Sequence, residues 1–169
     1  MNVNTIKAFF LFIFLILLQV WVLNHVHVRG LATPLLYVYF ILKLSSGNTR
    51  SSVLFASFAI GLVMDIFNNT PGMNALASTV AGFLRYYVLN LFSSKEEKSF
   101  IPSTGTMGMG AFSCYAAVVI LLHHIALFCV EAFSFFSPLM LMLKIVCSSV
   151  LTLVLVFAMD AIRFDRVKR

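Results

Sequence analysis

Six long apolar runs, separated by short polar stretches, take up most of this 169-residue chain. Each run is apolar around its whole circumference rather than along one stripe, which suits helices wrapped in lipid and in one another. Strands of a membrane barrel would alternate polar and apolar residues with a period of two, and these runs do not. Composition excludes a soluble fold: 61% of residues are hydrophobic and 11% charged, where a soluble domain carries about a quarter charged. So little polar surface could not cover such a core. We therefore expect an all-α integral membrane protein, a single helical domain over 1–169.

The runs place helices at about 6–24, 33–46, 51–68, 72–90, 111–131 and 138–160. The first resembles a signal-peptide core after Lys7, but Arg29 falls where cleavage would be expected, so it reads as an uncleaved span. Trp21 is placed as an interfacial anchor at its end. Thr33-Pro34 reads as an N-cap with proline in the first helical turn of the second run. That run is short: as a helix, Pro34 to Leu44 measures only about 16 Å, half the hydrocarbon thickness. Adding flanking residues makes it long enough for a locally thinned bilayer.

Basic residues set the orientation. With six crossings, one side holds Lys7, Lys43, Arg50, Arg85, Lys95, Lys98, Arg163, Arg166, Lys168 and Arg169, and the other only Arg29. The positive-inside rule then puts both termini, and the 95–98 loop, in the cytoplasm. A five-crossing chain with a re-entrant second run would be equally lopsided. The net charge of +6 is spread over short segments, so it fits an anionic lipid surface rather than nucleic acid. Cys114, Cys129 and Cys147 lie inside apolar runs without Cys-x-x-Cys spacing. They read as small buried apolar side chains, with no disulfide framework or zinc site.

The most informative polar group is Asp65, followed by Pro71-Gly72 and a second apolar run. A carboxylate on a membrane helix is costly and marks a working or assembly position. Gly61, one turn earlier, permits close backbone approach, and Arg29 and Lys144 are the plausible cationic partners. His123 and His124 are adjacent, so on a helix they point about 100° apart and cannot clasp one metal. They read as core histidines bonded across helices. Lys144 is expected to snorkel outward, with Glu131 its nearest partner in sequence. Small residues recur four apart, as Ser57 and Gly61, Ala77 and Ala81, and Ser78 and Gly82, a spacing that lets membrane helices pack closely. No catalytic grouping or phosphate loop is recognisable, so we expect no enzyme and no cofactor.

The block from Gly61 through Asp65 and Pro71-Gly72 to Ala75 resembles the central motif of the bacterial rod shape-determining protein MreD family. The length, the short second run beginning at a proline, and Arg50 ahead of the third helix are also similar. The chain departs in Asn68-Asn69-Thr70, where the family often has a small Ser- or Gly-rich corner, and in its Phe-rich first helix. The resemblance implies six transmembrane helices, similar to the substrate-binding subunits of energy-coupling factor transporters. It also implies a non-catalytic inner-membrane scaffold subunit of the rod complex. Its partners would be an MreC-like single-span protein and, indirectly, MreB and the peptidoglycan polymerase, with a homodimer possible. The competing expectation is a vitamin- or metal-binding subunit of an energy-coupling transporter. Polar groups such as Asn68, Asn69, Asn74 and Glu131 look too few for such a pocket. Ser57, Gly61, Asp65, Pro71, Gly72, Ala77, Ala81 and Gly82 form the expected partner or packing contact.

Overall fold

The computed structural model describes residues 3–25, 32–93, 99–131 and 137–167, with side chains described from residue 6 to residue 162. Its described residues form helices and connections without strands. The helices are α1 (Val3–Trp21), α2 (Val38–Lys43), α3 (Arg50–Asn68), α4 (Met73–Phe92), α5 (Thr104–Met107), α6 (Met109–Glu131) and α7 (Pro138–Val167). Five of them, α1, α3, α4, α6 and α7, are long and apolar enough to cross a membrane.

The bundle has two ends. Asn24, after α1, donates to the Asn68 side chain at the close of α3 (2.6 Å), so α1 and α3 finish at the same end and run parallel. The chain must therefore return between them, and residues 32–46 make that return through the interior. This corrects the expected helix over 33–46. Only Val38–Lys43 is helical. Thr33-Pro34 caps nothing, because residues 32–35 are non-helical.

Non-helical backbone is tolerated at membrane depth only where protein satisfies its polar groups. Here side chains from the first and last helices do so. Gln19 donates to the Pro34 carbonyl (2.8 Å) and accepts from the Leu36 N–H (2.8 Å). Ser148 accepts from the Thr33 N–H and Thr152 from the Leu35 N–H, both at 3.1 Å. Every residue of α2 is buried, and a six-residue helix leaves its last carbonyls without intrahelical donors. Tyr115 donates to Leu42 O (3.2 Å) and Arg85 to Leu44 O.

The long helices turn one stripe inward and another outward. On α1, Leu15, Ile16 and Gln19 are buried, while Phe10, Phe14, Leu17 and Trp21 stand exposed at spacings of three and four, as one helix face requires. On α7 the buried stripe is Ser148, Thr152, Val156 and Asp160. The cysteines depart from expectation. Cys114 and Cys129 are exposed and Cys147 half-buried, all free, because they fall on outward faces of α6 and α7 rather than in the core.

Candidate functional site

The hairpin of α3 and α4 is built on the block that carries the family resemblance. Asn69 closes α3 in the left-handed region (φ 54°) and donates to Asp65 O. Gly72 opens α4 at φ 78°, a conformation that only glycine adopts without a steric cost. The Asp65 carboxylate then reaches over the first turn of α4. Oδ1 accepts from the Asn74 N–H (2.9 Å), the Asn74 amide (2.9 Å) and the Thr70 hydroxyl (2.8 Å), and Oδ2 from the Ala75 N–H (2.8 Å). These backbone donors belong to the start of a helix, where no intrahelical acceptor exists and the dipole favours negative charge. Asp65 is thus the N-terminal clamp of α4, supplied by the preceding helix.

The donors that Asp65 receives among the described residues are thus hydroxyl, amide and backbone groups of its own corner. Of the two expected cationic partners, Lys144 lies 3.5 Å from Glu131, both partly exposed, and Arg29 lies outside the described residues. Gly61 performs its expected role. A Cβ there would sit 2.4 Å from Asn74 O and 2.6 Å from Ala75 Cα, so α3 and α4 touch backbone to backbone. One Cβ added at Gly82 would sit 2.3 Å from Ser57 Oγ. Ser57, Gly61, Ala77, Ala81 and Gly82 are all buried within the chain, whereas Pro71 and Gly72 are exposed at the corner. The small residues therefore pack internally.

From Asp65 the polar contacts continue inward. Tyr37 donates to Asn74 Oδ1 (2.8 Å), and its oxygen lies 3.0 Å from His123 Nε2. With the Tyr37 proton committed to Asn74, His123 must donate from Nε2, leaving Nδ1 as an acceptor without a partner. His124 takes the opposite tautomer: Nδ1 donates to Ile120 O (2.8 Å), and Nε2 lies 3.4 Å from the Thr152 hydroxyl. Both histidines are fully buried, and they bond across helices as expected. Among the described residues, no three His, Cys, Asp or Glu side chains gather as a metal set.

At the opposite end lies a centre that sequence reasoning missed. Lys43 pairs with Asp160, both almost wholly buried, and also donates to Pro102 O (2.7 Å). Thr104 donates to Asp160 Oδ2 from its N–H (2.8 Å) and its hydroxyl (2.7 Å), and Tyr39 to Oδ1 (3.3 Å). The signal was present, since Ser148, Thr152 and Asp160 share one face of an otherwise apolar helix. The polar groups at the Asp65 end also converge more than expected. Gln19, Asn24 and Thr33 join Asn68, Asn74 and Glu131 around a cleft of about 460 Å³.

The fold and these bonds define an all-helical protein with, among the described residues, five helices able to span a membrane, and with most of its buried polar groups bracing one segment against another. The chain matches no protein-family model, no curated protein and no solved structure.

Proposed function

We propose that this chain is a non-catalytic scaffold subunit of the bacterial inner membrane, of the kind the MreD resemblance implies. It would hold an MreC-like single-span protein and connect through it to MreB and peptidoglycan synthesis. The observation that supports this reading is the use made of Asp65. The carboxylate at the heart of the resembling block receives four donors from its own corner and fixes a hairpin rather than presenting a reactive group. A chain built of braced helices, with exposed apolar stripes on α1 and α7, acts by contact within the bilayer. In this reading the chain crosses six times, with both termini cytoplasmic. The parallel course of α1 and α3 supports that count, residues 32–46 being the second crossing.

A second reading has one observation in its favour, the polar cleft near Asn24 and Glu131. It makes the chain a binding subunit of an energy-coupling transporter for a vitamin or metal. Several of the cleft's side chains bond one another, as Gln19 does Asn24 and Asn24 does Asn68, which favours the scaffold. Affinity purification from native membrane, followed by partner identification, tests the two. Recovery of a single-span protein with a large outer domain is expected. Recovery of an ATPase-driven coupling protein, or a purified chain retaining stoichiometric vitamin or metal, would reverse the ranking.

A further inference from the structure

A cleft of about 500 Å³ opens between α3 and α4 at the Lys43 end of the bundle. Its polar part is formed by Ser46, Asn48, Arg50, Arg85, Tyr86 and Asn90, and none of its lining residues is acidic. Arg85 is 3% exposed. It gives one N–H to the Leu44 carbonyl, yet its Nε has no acceptor. No carboxylate among the described residues pairs with it. A guanidinium held this deep with an unused donor is a costly arrangement that an anion would relieve.

The surroundings are arranged for the same charge. Arg50 is exposed and lies over the Tyr86 ring, 4.0 Å from its centroid, which holds the guanidinium beside the cleft. It is also the first residue of α3, so the positive end of that helix dipole adds to the field. The wall changes character away from these groups, where Val53, Leu54, Gly82 and Phe83 continue the cleft as an apolar groove. A soluble anion has no use for such an extension, whereas an acyl chain does.

We propose that this cleft binds the phosphate of an anionic membrane lipid, with Arg50 and Arg85 on the headgroup and the groove between α3 and α4 on the first part of an acyl chain. The assignment rests on the cleft alone and does not depend on the scaffold reading. Guanidinium and phosphate match geometrically, two N–H groups facing two oxygens.

The test uses the full chain purified in detergent and titrated with dioleoyl phosphatidylglycerol or dioleoyl phosphatidylcholine, with retained lipid counted by native mass spectrometry. Preferential retention of one phosphatidylglycerol is expected. Arg50→Gln is the informative variant because Arg50 is exposed and bears on no core packing. It should weaken retention about tenfold or more, the loss of one charge-assisted hydrogen bond. Lys7→Gln, a surface charge elsewhere at the same end, should leave retention unchanged. Equal retention of both lipids, or undiminished retention by Arg50→Gln, would overturn the proposal. Displacement of the bound lipid by millimolar inorganic phosphate would also overturn it, making soluble phosphate the ligand.

Discussion

Lys43 and Asp160, 117 positions apart in the chain, meet as an ion pair inside the bundle, each with almost no exposed side-chain surface. The pair ties the end of α2 to α7, and Thr104 and Tyr39 occupy the remaining carboxylate positions. Removing one member of such a pair strands the other, which typically costs about 3–5 kcal/mol, whereas replacing both with apolar residues costs far less. Lys43→Met and Asp160→Leu should each destabilise strongly, and the double variant should recover most of the loss. Steric-trapping unfolding of the four proteins in bicelles gives the cycle. Additive losses would show that the two side chains are not coupled.

Close contact between α3 and α4 makes a second expectation. A methyl group at Gly61 meets backbone atoms that cannot rotate away, while one at Gly82 meets the Ser57 side chain. Gly61→Ala should therefore cost about 1–3 kcal/mol, as overpacking usually does, with no single-residue rescue. Gly82→Ala should be similarly destabilised and largely restored by adding Ser57→Gly. The check is thermal unfolding of the single and double variants. An inert Gly61→Ala would mean that the helices can separate freely.

For Asp65, the number of donors decides the order of variants. Asparagine keeps one acceptor oxygen and sets its own N–H₂ against a donor, while alanine abandons all four bonds. Asp65→Ala should lose more stability than Asp65→Asn, at about 1–3 kcal/mol for each buried group left unpaired. Protease sensitivity of the 68–73 corner, compared with whole-chain unfolding, reads this locally. Equal behaviour of the two variants would show that the carboxylate does not hold the start of α4.

Lys144 and Glu131 offer the contrast. Their 3.5 Å contact is partly exposed, and such pairs contribute about 0–1 kcal/mol. Lys144→Gln should leave the unfolding midpoint nearly unchanged. A loss comparable with that of Lys43→Met would place this pair in a far less solvated setting than its exposure indicates.

Most of the long helices were legible because their apolar runs end at residues that stop a helix. The exception is α7, expected to end at 160 and continuing to Val167 through charged residues that do not interrupt it. The third was expected at 51–68 and is Arg50–Asn68, and the fifth at 111–131 and is Met109–Glu131. Asp65, Gly61 and the Pro71-Gly72 corner were found for the same local reason, since the clamp closes within ten residues. Residues 33–46 were not legible. Their conformation is decided by Gln19, Ser148 and Thr152, 15 to 117 positions away, beyond any window of local pattern. The short α5 lay unnoticed in a hydrophilic connection, although Ser103 and Thr106 form the reciprocal cap that marks a helix start.

The extended stretch after Ala32 also carries a schedule. Its N–H groups at Thr33 and Leu35 are received by Ser148 and Thr152, which leave the ribosome 115 to 117 residues later. At about 5–20 residues per second, that is a wait of roughly 6–23 s. Until α7 arrives, Gln19 is the one side-chain support of the stretch among the described residues, and two backbone donors lack their final acceptors. Emergence of α7 is thus the event that supplies both acceptors. A nascent chain stalled before residue 148 leaves both donors without the hydroxyls that receive them.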